Sequence, residues 1–291
     1  DDTTTPSRHE LTLPGAGDHG SFDPALAADP DTGRIWMAYS AVDHLLCTNS
    51  KAISTRLAWS GDAGKTWTDC GVFLNRAADI TLPGPTSVTW EYEVASLCRD
   101  PGAPPAARWK LFFHRYLALG DTRLFQYGWI GMKSAATPEG LTNSNETKCI
   151  TGSVYTNTAD VWLGPPQLPL HTLHPDLAGC VAFSEPGAFA TGTALYLCLF
   201  GAEGASTNGR IVLIRSNHGG SWEYRGSLLV NTNDGPALGC HGFSAPALYE
   251  KNGIRYLLVT PQTNDRYLGT RIFRIADLDA ATLVRDGGIP R

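Results

Sequence analysis

The sequence predicts an all-β propeller, and we expect five blades, of which four are recognisable as repeats. Three observations predict this fold class. The chain has no helical hydrophobic period of useful length, it contains many short β-branched and aromatic runs between turn residues, and one short core segment recurs four times. We expect a single domain over residues 1–291, with residues 1–18 as a candidate for closing the ring.

The predicted strands are short runs bounded by Gly, Pro, Asn and Asp. Turns join them in pairs. The dipeptide Asn252-Gly253 is typical of a type I′ hairpin, because both central residues of that turn need a positive φ. The clearest runs cover residues 34–39, 109–114, 194–200, 210–214 and 254–259.

The recurring core segment occupies residues 22–26, 92–96, 184–188 and 244–248. The four copies align without gaps and recur at intervals of 60 to 92 residues, which suits four-stranded blades with loop insertions. Each copy is expected to be the innermost strand of its blade. The alignment assigns one repeat position to Asp23, Glu93, Glu185 and Ala245.

A second repeat lies on the predicted outer strands. Residues 60–67 match S-x-D-x-G-x-T-W at every fixed position, directly after the predicted strand 54–59. Residues 215–222 form a degenerate copy, with Arg215 and Asn217 in place of Ser and Asp. This motif resembles the Asp-box of sialidase-like β-propellers, where it closes a hairpin, so we interpret Asp62 as structural.

Acidic residues on the inner strands also make the sequence similar to five-bladed glycosidases of the arabinanase and xylosidase type. That resemblance implies carboxylates on separate blades that act as base, acid and pKa modulator. Asp23 and Glu185 are similar to the base and acid positions, and Glu93 stands where that group of enzymes has Asp. The F-R-I-P segment of sialidases is absent from the sequence, so sialidase activity is not expected.

The repeat position itself makes Asp23, Glu93 and Glu185 our candidate catalytic residues, because equivalent positions of successive blades face one another at the channel mouth. Paired carboxylates suit cleavage of a glycosidic bond, since one donates a proton to the leaving oxygen while another activates water. We expect Glu185 as acid, Asp23 as base, and inversion of configuration. The alternative is that Asp23 and Glu185 cap turns at the starts of strands, and that Glu93 belongs to a core strand with alternating burial.

Six further residues are candidates for substrate binding, because aromatic rings suit sugar faces and polar groups near the aligned core could line the same mouth. They are His19, Trp90, Tyr92, Arg115, Trp162 and His241. His171 and His174 are spaced like metal ligands, but without a helix or a third ligand they do not predict a metal site. We expect no cofactor, and a structural calcium ion is left open.

Composition excludes several classes of function. The net charge of −5 and the lack of a basic run argue against a nucleic-acid partner. No apolar stretch approaches the roughly 18 residues that span a bilayer, so membrane insertion is not expected. The expected partner is a carbohydrate, bound as substrate or ligand.

Seven cysteines, eight tryptophans and a glycosylation sequon at Asn145 favour a secreted protein with disulfide bonds. The polar N-terminus, residues 1–7, is typical of a mature end left after processing. Free buried thiols in a cytosolic protein are the alternative. The odd number of cysteines leaves open a further segment or chain that completes the ring. The predicted pairs are Cys47–Cys70, Cys98–Cys149 and Cys180–Cys240, with Cys198 unpaired.

The sequence as a whole predicts a secreted glycoside hydrolase that acts on a carbohydrate through paired carboxylates. A non-catalytic, lectin-like propeller is the alternative. A lectin would repeat one polar and aromatic set in every blade. Here the aligned position holds Asp, Glu, Glu and Ala, which favours one asymmetric site.

Overall fold

A computed structural model describes residues 13, 17–18, 20–44, 51–75, 77–79, 88–119, 122–151, 170–203, 208–218, 220–263 and 266–291. Within these ranges the chain consists mainly of antiparallel strands, with one short α-helix, α1 (Asn231–Leu238). The strands form four blades, which confirms the predicted all-β propeller. No helix in the described part of the chain is long and apolar enough to span a membrane.

Each blade is built from strands that follow one another in the chain. Blade 1 contains β1 (Gly20–Ala28), β2 (Ile35–His44), β3 (Lys51–Ser60) and β4 (Thr68–Leu74). Blade 2 contains β5 (Ala77–Asp79), β6 (Val88–Arg99), β7 (Trp109–Leu119), β8 (Thr122–Ala135) and β9 (Thr147–Thr151). Blade 3 contains β10 (Cys180–Ala190), β11 (Leu195–Glu203), β12 (Asn208–Ser216) and β13 (Trp222–Val230). Blade 4 contains β14 (Gly242–Lys251), β15 (Ile254–Gln262), β16 (Arg271–Asp277) and β17 (Thr282–Leu283), and the small hairpin of β18 (Arg285–Asp286) and β19 (Ile289–Pro290) follows it.

The four predicted inner segments lie side by side around the channel. Strand β1 contacts β6, β6 contacts β10, and β10 contacts β14. In blade 2 the three-residue β5 pairs with the other edge of β6. The described residues form four blades, and a fifth blade remains a prediction.

The hydrophobic core lies between neighbouring blades. Successive side chains of a strand point to opposite faces of its sheet, so one strand contributes side chains to the contacts with both neighbouring blades. In β11, Leu195, Leu197 and Leu199 pack towards blade 2, whereas Tyr196 and Cys198 pack towards blade 4. Burying each such leucine contributes roughly 1.5–3 kcal/mol relative to leaving it exposed, and this burial holds the blades together.

Every inner strand carries a β-bulge at the same level of the channel. The pairing with the second strand of the blade is interrupted at residues 22–25, 93–96, 184–187 and 244–247. In each bulge one non-glycine residue has a positive φ, namely 52° at Asp23, 50° at Val94, 57° at Glu185 and 47° at Ala245. The gapless alignment, which put Glu93 at this position, was therefore wrong by one residue in blade 2. The physical reason is that the bulge sets the register there, and no residue type in the sequence marks it.

Hydrogen bonds at the bulges cross the blade junctions. In each, a backbone N–H of an inner strand donates to a side-chain oxygen of the preceding blade. The three bonds are Val94 N–H to Ser40 Oγ at 3.1 Å, Ala188 N–H to Ser96 Oγ at 2.8 Å, and Ala245 N–H to Glu185 Oε2 at 2.6 Å. The backbone around the channel is thus held by polar groups of neighbouring blades.

The turn between β3 and β4 is closed by its own side chains. The backbone N–H and the hydroxyl of Thr66 donate to Asp62 at 2.9 and 2.7 Å, and the Ser60 hydroxyl also donates to Asp62. These bonds, chiefly those from Thr66, lower the pKa of Asp62 to about 2. Trp67 packs on a cluster that contains Met37 and Tyr39. Asp62 therefore stabilises a turn and does not line the cavity described below.

The predicted disulfide bonds are not present among the described residues, in which Cys70, Cys98, Cys149, Cys180, Cys198 and Cys240 are all free thiols. Cys98 and Cys149 lie on β6 and β9, with two strands between them, which separates them by about 14 Å at the usual strand spacing. A disulfide needs Cα atoms roughly 4.4–6.8 Å apart. Cys180 and Cys240 belong to the cores on opposite faces of blade 3. Cys47 lies outside the described residues.

Candidate active site

A cavity of about 460 Å³ opens at the level of the four bulges. Its volume falls within the roughly 300–1,000 Å³ of ordinary small-molecule sites. All four blades contribute to its wall. The lining residues are Phe22, Asp23, Ser40, Val42, Ile53, Glu93, Val94, Arg123, Glu185, Ser244, Ala245, Thr260 and Tyr267.

The structure brings Asp23, Glu93 and Glu185 together at this cavity. Asp23 and Glu185 are the positive-φ residues of their bulges, whereas Glu93 immediately precedes the positive-φ residue of blade 2. In blades 1, 2 and 4 two consecutive bulge residues reach the cavity, so the one-residue shift does not remove Glu93 from it. A positive φ is strained for side chains other than glycine, and such strain is typical of functional sites.

Glu185 is partly buried and lines the cavity from blade 3. Its Oε2 accepts the 2.6 Å hydrogen bond from the Ala245 N–H of blade 4. Burial raises the pKa of Glu185 to about 7; the bond from Ala245 opposes the rise, and the charges of Glu93 and Asp23 add to it. A carboxyl group with this pKa is substantially protonated near neutral pH and can donate a proton.

Asp23 faces the same cavity from blade 1. Burial raises the pKa of Asp23, but a hydrogen bond from the Ser40 hydroxyl and the charge of Arg123 oppose that rise. Ser40 Oγ also accepts the N–H of Val94, so its hydroxyl hydrogen is directed to Asp23. These contacts make Asp23 the carboxyl group better suited to stay ionised and to accept a proton.

Glu93 is the most enclosed of the three, with 8% of its surface exposed. Its Oε1 lies 3.4 Å from Nη1 of Arg123. Burial raises the pKa of Glu93, Arg123 lowers it, and Asp23 raises it. Beside it, burial lowers the pKa of His114 to about 3, so that imidazole is neutral. Arg123 is thus the charged group that opposes the effect of burial on Glu93.

Three predicted binding residues lie on the opposite face of the blade 2 sheet from Glu93. Because side chains alternate along β6, Trp90 and Tyr92 point away from the cavity and are buried between blades 1 and 2. Arg115 lies over the rings of Trp90 and Trp129 at 4.4 and 4.8 Å, and its Nη1 is 2.7 Å from Glu146 Oε2. None of the three predicted residues lines the cavity.

The remaining predicted binding residues are histidines and one tryptophan. His241 is exposed, just before β14, and does not line the cavity. His19 and Trp162 lie outside the described residues. Within the part of the chain that the structure describes, no three His, Cys, Asp or Glu side chains are grouped to hold a metal ion.

Several solved glycosidase structures resemble this chain over most of its length. An exo-1,5-α-L-arabinanase from a bovine ruminal metagenomic library matches with a TM-score of 0.54 and 15% identity, over 94% of this chain and 80% of that chain. The α-L-arabinanase of Cellvibrio cellulosa, complexed with arabinohexaose, matches with a TM-score of 0.55 and 14% identity, over 94% and 77%. A Hadza microbial sialidase matches with a TM-score of 0.50 and 12% identity, over 89% and 45%.

The chain shares its propeller fold with these glycosidases. The TM-scores of 0.50–0.55 show a common fold, whereas identities of 12–15% leave the activity to be argued from the cavity. No protein-family model matches the sequence, and no curated protein matches it either.

Sequence reasoning missed five polar residues of the cavity, namely Ser40, Arg123, Ser244, Thr260 and Tyr267. Of these, only Ser244 belongs to the repeated core segment. Ser40 lies on β2 opposite Phe22, beside the bulge of blade 1, whereas Arg123 lies near the start of β8, opposite Ala118 of β7. Tyr267 lies in the connection between β15 and β16, for which the sequence has no motif.

Proposed function

We propose that this protein is a glycoside hydrolase in which Glu185 is the general acid and Asp23 the general base. One observation carries the proposal. Two carboxyl groups from separate blades line one cavity, and their surroundings affect their pKa values differently. Burial raises the pKa of Glu185 to about 7, whereas Ser40 and Arg123 oppose the rise in the pKa of Asp23.

The proton of Glu185 has a defined place in this mechanism. Oε2 accepts the N–H of Ala245, so the acidic proton resides on Oε1. It passes to the glycosidic oxygen as the bond between that oxygen and the anomeric carbon breaks, and the leaving group departs as an alcohol. Asp23 takes a proton from the water that attacks the anomeric carbon. Exchange with solvent then returns a proton to Glu185 and removes one from Asp23.

Glu93 supports this chemistry through its charge. Its carboxylate raises the pKa of Glu185, and its pairing with Arg123 keeps a guanidinium group at the cavity wall. Arg123 in turn lowers the pKa of Asp23. We therefore assign Glu93 the role of setting the protonation of the other two carboxyl groups.

Inversion of configuration is part of the proposal. Inverting enzymes hold their carboxyl groups roughly 6.5–9.5 Å apart to admit a water, whereas retaining enzymes hold them about 5 Å apart. Asp23 and Glu185 stand on blades 1 and 3, with blade 2 between them, which favours the wider spacing.

The expected ligand is a carbohydrate. A structural neighbour was solved with arabinohexaose, which supports a sugar ligand for this fold. We also propose that the protein is secreted. Asn145 of the sequon is exposed, as glycosylation requires, whereas the free cysteines do not support secretion.

The test is a hydrolysis screen with the purified protein. Aryl glycosides, arabinan, xylan and fructan are assayed for released sugar, and proton NMR identifies the first anomer formed. Glu185→Gln and Asp23→Asn should each lower turnover by a factor on the order of 100 or more. Glu250→Gln, a surface carboxylate paired with Arg255, is the matched control and should keep full activity.

The outcomes separate the two predicted functions. Release of the inverted anomer with loss in both site variants supports the proposal. Binding of sugars without hydrolysis would instead support a lectin-like propeller. Hydrolysis that survives both substitutions would show that the two carboxylates serve only the bulges.

A further inference from the structure

Two aromatic rings with large exposed surfaces line the cavity, one at each side. Phe22 belongs to the bulge of blade 1, next to Asp23, and Tyr267 belongs to blade 4. Tyr267 is 70% exposed, the highest value among the large side chains of the cavity, whereas Glu93 is 8% exposed. Tyr267 and Phe22 therefore stand at the rim of the cavity, and Glu93 lies deeper.

The backbone of Tyr267 is fixed although its ring is exposed. Residue 267 pairs with Gln262, the N–H of Leu268 donates to the carbonyl of Pro261 at 2.8 Å, and Thr263 donates to Arg266 at 2.9 Å. The ring thus projects from a hydrogen-bonded turn and is not held by packing. A tyrosine in this setting offers an apolar face together with a hydroxyl that stays in water, which suits contact with a sugar ring.

The wall between Glu185 and Tyr267 is made of small side chains. Ser244, Ala245 and Thr260 of blade 4 line it, and Ala245 stands where blades 1 and 3 carry carboxylates. This wall leaves open space beside the acid, on the side of blade 4. Tyr267 lines the same cavity as Arg123 and Glu185.

Which part of a substrate would bind in the space beside blade 4 depends on where that space lies relative to Glu185, the proposed acid. Oε2 of Glu185 accepts the Ala245 N–H, so the acid lies against blade 4 and the space beside it is bounded by that blade. A group attached to the oxygen that Glu185 protonates would extend along blade 4 toward the exposed ring of Tyr267. The rim on this side is formed by Tyr267.

We infer that Tyr267 is the stacking platform of a leaving-group subsite, so that the enzyme prefers substrates whose leaving group is itself a sugar. This inference rests on the proposed function, since it places the leaving group by reference to Glu185. The ligand class is an oligosaccharide of at least two residues. Phe22 lies beside Asp23, where the sugar that keeps its anomeric carbon would bind.

The experiment compares two probes made from the sugar that the hydrolysis screen returns. One is its disaccharide, which fills the leaving-group side, and the other is its glycosyl fluoride, whose leaving group is a single atom. Tyr267→Ala should lower kcat/KM for the disaccharide roughly 5- to 10-fold, the range expected for loss of ring stacking, and should change that for the fluoride less than about 2-fold. Tyr267→Phe keeps the ring and should retain disaccharide activity.

Two control variants show whether the loss of disaccharide activity is specific to Tyr267. Tyr249→Ala removes another exposed tyrosine of blade 4 that does not line the cavity, and it should change neither probe. Phe22→Ala should weaken both probes together, since both fill the side of Asp23. Equal losses for both probes in Tyr267→Ala, or no loss in either, would overturn the inference while the proposed function stands. Failure of the wild type to cleave any glycoside would overturn the proposed function, and the inference with it.

Discussion

Glu185 accepts a 2.6 Å hydrogen bond from the backbone N–H of Ala245, the residue that holds the equivalent bulge position on the next blade. The bond joins blades 3 and 4 and occupies one carboxyl oxygen of Glu185. The bond therefore stabilises the contact between the two blades and also prepares the acid, because it orients the carboxyl group and leaves the other oxygen to carry the proton. A strand-start acid that only caps a turn would not also face a cavity with two further carboxylates.

The acid role of Glu185 predicts a dependence on the leaving group. Glu185→Gln should slow substrates with poor leaving groups, such as sugars, by a factor on the order of 100 or more, and dinitrophenyl glycosides far less, because a good leaving group needs no proton. The comparison is made by measuring kcat/KM for both classes. Equal losses for both classes would contradict the acid role.

The pKa values predict a bell-shaped dependence of kcat/KM on pH. The acid must be protonated, so activity falls as pH rises through about 7, where Glu185 ionises. The base must be ionised, so activity also falls as pH drops through the raised pKa of Asp23. In Glu185→Gln the alkaline limb should disappear, since Gln does not titrate. An unchanged alkaline limb in that variant would assign the limb to another group.

Ser40 is expected to position Asp23 and the Val94 backbone. Ser40→Ala removes a hydrogen bond that lowers the pKa of Asp23, so the acid limb of the pH profile should move to higher pH. It also removes the acceptor of the Val94 N–H, which should lower the free energy of unfolding by about 1 kcal/mol. Ser244→Ala, whose hydroxyl donates to the Thr260 carbonyl, should leave the acid limb in place.

A buried charge cluster at the junction of blades 2 and 3 should matter for stability alone. Asp100 is fully buried, lies 2.7 Å from His218 Nδ1 of the β12–β13 turn, and is 3.7 Å from Nζ of the buried Lys110. Asp100→Ala would leave Lys110 without its counter-charge and should cost about 3–5 kcal/mol in urea unfolding. Asp286→Ala, at an exposed pair with Arg291, should cost less than about 1 kcal/mol.

Thiol titration tests the cysteines. In denaturant without reductant, the six described cysteines should all react, whereas in the native protein Cys70 should react first because it is exposed. Burial raises the pKa of Cys98 and Cys149 to about 12 and that of Cys180 to about 11, which keeps these thiols protonated and slow to react. Mass mapping that found a disulfide between any two of them would contradict the packing described here.

The correct sequence-based predictions came from signals that depend on local chemistry. Alternating β-branched runs, turn residues such as Asn252-Gly253 and the recurring core segment each reflect the period of a strand or the φ of a turn, so they predict an all-β propeller directly. The wrong predictions concerned long-range geometry. The proposed disulfide pairs used sequence spacing, which does not report that Cys98 and Cys149 stand at distant strands of one sheet.

The sequence by itself determined the strand order, the four repeated inner segments and the carboxylates that those segments carry. Only the tertiary structure decided which side chains meet. The bulge of blade 2 shifts the register so that Val94, not Glu93, takes the repeat position, and strand alternation turns Trp90 and Arg115 away from the cavity. Ser40, Arg123 and Tyr267 enter the site from β2, β8 and a connecting turn. A one-residue change of register reverses the face of a side chain, and that register is set by hydrogen bonds between strands far apart in the chain.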